Sequence, residues 1–372
     1  MEFVDLKSQY KKLKTEIDAN IQKVLNHGHY LMGPEVAELE EQLAEYVGVK
    51  HCITCANGTD ALHMVLMAWG IKKGDAVFVP TFTFMSTAEV VSLAGATPVF
   101  TDIDLKTFNM DAVSFEKQIE KVIAEGKLKP KAVIPVDLFG QPADYSKILP
   151  VAKKYNLLVL EDGAQGFGGD INGKKACTFG DVATTSFFPA KPLGCYGDGG
   201  AIFTDDDKLA ELLVSIRIHG KGKEKYDNVR IGLNSRLDTI QAAILLPKLK
   251  AFKDYELQKR NEVAAAYTEG LKDKYVTPTV LSGFTSSWAQ YTLLLDNAQQ
   301  RAELQDKLKE AGIPSMVYYP KCLHQQTCYV ELGYKTGDLP NAERASQGVL
   351  SLPMSPWIKK EEQEKVIEIL LR

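Results

Sequence analysis

Apolar and polar positions along the chain alternate between two periods. Residues 34–47 carry Val36, Leu39 and Leu43 at helical spacing, with Pro34 suited to a first turn and Gly48 placed to end it. This is the first clear helix in the pattern. Short, nearly continuous apolar runs then follow at 52–55, 76–79, 98–100, 132–136, 157–160, 183–188 and 201–203, with helical stretches such as 144–154 between several of them. Runs of that length read as strands buried on both faces, so the pattern predicts an α/β fold with a mainly parallel sheet between helices. After Thr204, Leu209, Leu212, Leu213 and Ile216 share a helical face, with Asp205 to Asp207 favourably placed at its start.

Residues 236–271 are helix-forming throughout except at Pro247, where a kink or interruption is expected. A strand-like run at 290–295, a helix at 301–311 and a closing helix with Val366, Ile369 and Leu370 on one face complete the chain. The expected division is a large domain over residues 1–245 and a smaller C-terminal α/β domain over 246–372. A chain of 372 residues exceeds the length at which one core usually stops growing.

Composition narrows the function classes. The chain is 45% hydrophobic and 25% charged with a formal net charge of −4, which gives no basic surface for nucleic acid. The local basic runs at 127–131 and 221–225 are interrupted and read as solvated faces or loops. No stretch approaches the roughly 20 apolar residues of a membrane span, and the first residues lack a basic segment leading into an apolar one, so a cytoplasmic protein is expected. Six cysteines are too sparse for a disulfide framework. Cys52 and Cys55 form a C-x-x-C, but no second pair or nearby histidine completes a metal site, and none is expected.

In open parallel sheets ligands gather at the carboxyl ends of strands. Residues following the apolar runs therefore carry the candidate chemistry. Asn57-Gly58-Thr59-Asp60-Ala61 opens a helix, where free N–H groups and the helix dipole favour a phosphate. The same residues also fit a plain turn with Thr59 as N-cap. Glu161-Asp162-Gly163-Ala164-Gln165 puts a carboxylate at a strand end, suited to a protonated ring nitrogen, to a helix cap or to a metal. Lys191 follows the run that includes Ser186 and enters the glycine-rich 192–200 turn. Most lysines are solvated charges; one held away from water forms Schiff bases. Anion site, ring-nitrogen partner and imine former together match the needs of pyridoxal 5'-phosphate.

On residues 55–61, 161–166, 186–200 and 234–238, and on matches running from Phe3 to Pro353, the sequence resembles the DegT/DnrJ/StrS family of nucleotide-sugar aminotransferases, which have the aspartate-aminotransferase (type I) fold. Through 191–200 and 234–248 it is most similar to members that aminate C3 of UDP-2-acetamido-3-keto-glucuronic acid, a step of bacterial surface-polysaccharide synthesis. The resemblance implies Lys191 as the Schiff-base lysine and proton shuttle, and Asp162 as the pyridinium partner. It implies Gln165 at the phenolic oxygen, Phe84 on the ring, and Gly58, Thr59 and Ser186 around the phosphate. Asn234 is implied to reach the phosphate from a second subunit, making a homodimer with composite sites. His29, Tyr30, Arg236, Tyr318 and Tyr319 fall where the family recognises the nucleotide sugar. Tyr318 stands where relatives often carry histidine, and His219 lies in an expected mobile loop.

The implied reaction transfers an amino group from glutamate, which leaves as 2-oxoglutarate, to the keto sugar. The alternatives are amination of a dTDP- or UDP-linked 3- or 4-keto-6-deoxy sugar, a sugar dehydratase, in which histidine replaces the lysine, and a cofactor-free regulatory protein.

Overall fold

The computed structural model describes residues 1–224 and 226–372; Lys225, the end of the 221–225 basic run, lies outside the described residues. The chain opens with two helices, α1 (Leu6–His27) and α2 (Pro34–Val47), and then alternates strands and helices: β1 (His51–Cys55), α3 (Gly58–Ala68), β2 (Asp75–Pro80), α4 (Ser86–Leu93), β3 (Thr97–Thr101), α5 (Ala112–Glu125), β4 (Lys129–Val133), α6 (Tyr145–Lys154) and β5 (Leu158–Asp162). The short strands β6 (Asp170–Ile171) and β7 (Lys174–Lys175) precede β8 (Val182–Ser186), β9 (Gly200–Thr204), α7 (Asp207–Arg217) and α8 (Thr239–Ala251).

The central sheet has the order β1-β9-β8-β5-β4-β2-β3. The pairs β2–β3, β2–β4, β4–β5 and β5–β8 are parallel, whereas β9 runs antiparallel to both β1 and β8. Thus β9 alone opposes the other strands, the one reversal that the apolar pattern does not reveal. Val77 and Val79 pack with α3, α4 and α7 on one face, while Ala76 and Phe78 pack with α5 and α6 on the other. Ala183, Ala201 and Phe203 meet α2 and α8 on that second face. Both faces are therefore covered, and the loops after β1, β2, β5 and β8 collect at one sheet edge.

Two expectations change. The first helix is α1, not α2. Its core stripe of Leu13, Ile17 and Val24 is narrow and interleaved with lysines, so periodicity alone is faint. The expected helix at 236–271 begins at Thr239 and continues through Pro247 to Ala251, followed by a π-helical turn, Phe252–Glu256, and then α9 (Leu257–Leu271). Proline leaves the carbonyl four residues back without its helical donor. That carbonyl, on Ala243, instead accepts from Asn20 Nδ2 of α1 at 3.1 Å. The break is repaired by the neighbouring helix, and the expected 245/246 boundary falls inside α8.

Beyond α9, a core of Val263, Tyr267, Leu293, Leu308, Leu352 and Val366 forms within the C-terminal part. Residues 322–349 also pack back against the main body, where Leu323 N donates to Thr81 O at 2.8 Å. This contact brings Tyr318 and Tyr319 to the sheet edge.

Candidate active site

A cleft of about 430 Å³ opens at that edge. Its lining includes Gly58, Thr59, Phe84, Asp162, Gln165, Ser186, Lys191, Tyr318 and Tyr319 from the sequence-predicted set. His29, Tyr30, Asn234 and Arg236 do not line it. Tyr30 is half exposed, His29 and Asn234 are exposed, and Arg236 Nη2 donates to Asn234 Oδ1 outside the cleft.

Asp162 is the last residue of β5 and only 4% exposed. Its Oδ2 accepts from Thr87 Oγ1 at 3.0 Å and its Oδ1 from Ala164 N at 3.2 Å. Burial raises its pKa, opposed by those donors and by the charge of Lys191. Lys191 is partly exposed to the cleft, yet desolvation of its ammonium lowers its pKa against the pull of Asp162. The lysine is thereby moved toward the neutral, nucleophilic form.

Local sequence explains how the lysine is held. Lys191 N donates to Phe188 O at 2.9 Å, and the chain doubles back so that Cys195 N and Sγ both donate to Phe187 O. Gly194 is essential to this return, because a Cβ there would sit 2.5 Å from Pro189 O. Gln241 of α8 clamps the next residue by accepting from Tyr196 N at 2.8 Å.

At the start of α3 the cap is Asn57, whose Oδ1 accepts from Asp60 N at 2.7 Å. Thr59 is thus free of the capping role. A Cβ on Gly58 would lie 2.7 Å from Ser186 Cβ, so glycine lets the helix start and the end of β8 meet. The result is a small cradle of backbone N–H groups and one hydroxyl at a positive helix end.

Gln165 is buried; its Oε1 accepts from Phe139 N at 2.8 Å and its Nε2 donates to Tyr319 Oη at 3.2 Å. One amide hydrogen remains for a ligand. Phe84 is 56% exposed beside the cleft, its ring 6.4 Å from that of Tyr319. Thr87 and Gln290 were not foreseen. Thr87 reads in the sequence as one more polar position on a helix, and Gln290, a cleft residue whose Oε1 is buried without a partner among the described residues, gives no local signal. His219 lies in an anchored loop, its N donating to Leu233 O at 2.8 Å and its O accepting from Asn228 Nδ2 at 2.9 Å. Cys52 and Cys55 are buried free thiols. Among the described residues no group of three or more His, Cys, Asp or Glu could hold a metal ion, and no helix is long and apolar enough to cross a membrane.

The sequence pattern of the DegT/DnrJ/EryC1/StrS aminotransferase family matches residues 11–371. The chain belongs to that family. Among its relatives, the UDP-2-acetamido-2-deoxy-3-oxo-D-glucuronate aminotransferase of Pseudomonas aeruginosa is 49% identical over 359 residues, 96% of each chain. A solved DegT/DnrJ/EryC1/StrS aminotransferase from Brucella abortus superposes with a TM-score of 0.96 at 50% identity, covering 100% of this chain and 98% of that one. NtdA from Bacillus subtilis, solved with its bound cofactor PMP, superposes with a TM-score of 0.88 at 32% identity, covering 97% and 81%.

Proposed function

We propose that this aminotransferase uses pyridoxal phosphate to move an amino group from glutamate to a nucleotide-linked keto sugar, with C3 of UDP-2-acetamido-3-keto-glucuronic acid as the acceptor. The observation that carries the reading is the charge balance on the cleft floor. A buried carboxylate, Asp162, has one cationic neighbour, Lys191, whose own charge is disfavoured. A protonated pyridine ring beside Asp162 supplies the missing positive charge, and the cradle of Gly58, Thr59 and Ser186 suits a phosphate.

When bound, the cofactor supplies an aldehyde that takes up an amino group and a ring that accepts an electron pair. The residues that would hold it are Asp162 at the ring nitrogen, Gln165 at the phenolic oxygen, Phe84 against the ring, and Gly58, Thr59 and Ser186 at the phosphate. Lys191 would hold it covalently and, when free, would move the proton at the substrate carbon, a task for which a depressed pKa is required. Thr87 keeps Asp162 aimed and ionised. Lysine at position 191 supports transfer over dehydration.

Asn234 acts in this reading from a second copy of the chain, reaching the phosphate of a composite site in a cytoplasmic homodimer, and His29, Tyr30 and Arg236 recognise the nucleotide sugar. Tyr318 and Tyr319 meet the sugar. The catalytic body spans residues 1–245 and a smaller domain spans 246–372. The similarity to the Pseudomonas aeruginosa enzyme supports the acceptor.

Purified protein should carry a visible cofactor band that glutamate bleaches and the 3-keto uronate restores. A colourless wild type that cannot be reconstituted would sink the reading. Restoration by 4-keto-6-deoxy sugars alone would move the reaction to another carbon.

A further inference from the structure

Under the turn that carries Asp162 and Gln165 lies a pair of carboxyl groups for which the proposed chemistry has no use. Asp137 and Glu161 are both 0% exposed. Glu161 is fully engaged by amides: its Oε1 accepts from Cys177 N and its Oε2 from Phe179 N at 2.7 Å. Asp137 Oδ1 accepts from Ala143 N at 2.9 Å and from Tyr145 Oη at 3.0 Å. Its Oδ2 is buried, and no group among the described residues donates to it. The two carboxyls share one pocket: the Tyr145 ring that carries the donor to Asp137 stacks at 4.8 Å on Phe179, whose amide serves Glu161, and each carboxyl perturbs the other's charge.

Two carboxylates cannot hydrogen-bond without a proton between them, and a buried oxygen without a donor is costly unless it is itself the donor. Among the described residues, Tyr145 and Cys177 are the titratable groups facing the pair, and neither brings a positive charge. Glu161, with its two amide bonds, is the better anion. Burial raises both carboxyls; the Glu161 charge adds to the push on Asp137 and carries it well above the usual carboxylate range, while the amides of Cys177, Phe179 and Gly180 hold back the rise of Glu161.

The pair also fits the turn above it. A Cβ on Gly166 would lie 2.3 Å from Asp137 Cβ, and one on Gly163 would lie 2.5 Å from Cys177 Sγ. Asp137 N donates to Asp162 O at 3.0 Å, and Phe139 N, two residues on, donates to Gln165 Oε1 at 2.8 Å. The segment around Asp137 therefore fixes both ligand-facing residues of the turn.

We propose that Asp137 is a neutral carboxylic acid, donating its proton from Oδ2 to the Glu161 carboxylate, and that this bond makes it a positioning residue for Asp162 and Gln165. A segment held in this way keeps Asp162 opposite the ring nitrogen and Gln165 at the phenolic oxygen. This consequence rests on the role proposed above for Asp162; the protonation itself does not.

The test is isotope-edited infrared spectroscopy of the holoenzyme labelled with carboxyl-¹³C aspartate. At about pH 7, where an ordinary carboxyl is ionised, wild type should show a protonated-carboxyl stretch that Asp137→Asn lacks. No such difference would overturn the pair. For positioning, Asp137→Ala should lower kcat about tenfold or more with KM for glutamate little changed, and should shift the pH dependence of the cofactor absorbance. Asp137→Asn keeps an N–H donor to Glu161 and should restore both. If Asn shifts the absorbance profile as far as Ala does, or if Ala leaves it in place, positioning is refuted. Because the infrared band is read on the carboxyl itself, its absence leaves the cofactor reading standing, and a colourless protein leaves the band standing.

Discussion

The cleft floor and the outlying residues around Asn234 are built on opposite terms. On the floor, Asp162 and Ser186 end strands, Gly58 opens a helix, and Lys191 sits in a turn closed by Gly194 and Cys195. Those groups are held by partners of their own chain. Asn234, His29 and Tyr30 project from a surface with few partners, and Arg236 reaches only Asn234 with its Nη2. The difference teaches where one chain suffices: it holds the cleft floor by itself, while in our reading the phosphate contact of Asn234 waits for a second chain.

The comparison breaks most sharply at Lys191. Lys191→Ala should remove the visible cofactor band and lower turnover at least about 10³-fold, within the range of general acid–base catalysis; persistence of either would show that the floor works without its lysine. Asp162→Asn keeps the shape but removes the charge, and should cost about 10²–10³ in kcat, measured by single-turnover kinetics. Gly58→Ala forces a methyl against Ser186, and an overpacking cost of about 1–3 kcal/mol should weaken cofactor binding about five- to a hundredfold by equilibrium titration.

On the outlying side, Asn234→Ala should weaken cofactor binding about tenfold, the loss of one good hydrogen bond. If the site is shared, mixing Lys191→Ala subunits with Asn234→Ala subunits should, at limiting cofactor, give activity above that of either variant alone. A mixture no more active than its components would return the whole site to one chain.

The smallest and most diffuse effect is that of Asp137 on stability. Its native pKa lies above its unfolded one, so its contribution to stability is fully present below the ordinary carboxylate range and is lost as pH rises through the raised value. Asp137→Asn should flatten that decline in thermal unfolding recorded against pH.

Much of the floor was legible because its residues punctuate strands. The apolar run at 157–160 gives way to Glu161 and Asp162, and the run at 183–188 carries Ser186 within it, so each marks both a strand and a residue it delivers. The direction of β9 was not legible, since its apolar run reads the same either way and pairing with β1 and β8 sets the sense. Thr87 and Gln290 escaped for a related reason. Each matters through a contact far along the chain, such as Thr87 with Asp162, 75 residues on, and no local spacing records it. Asp137 followed the run at 132–136 as visibly as Asp162 followed its own. What hid it was burial beneath the turn rather than beside the cleft.

The bond from Asn20 to the Ala243 carbonyl has a consequence for how the protein is made. The two residues are 223 positions apart. At translation rates of roughly 5–20 residues per second, α1 waits on the order of ten to forty seconds for the helix it repairs. During that interval its lysine-rich faces must keep it in solution while Leu13, Ile17 and Val24 have nothing to cover them. The arrival of α8 then does two jobs at once, as the late helix gains the donor its proline removed and the early one gains a place to rest. An N-terminal helix is thus among the last pieces to be secured, and a nascent chain halted before residue 251 should leave it open to protease.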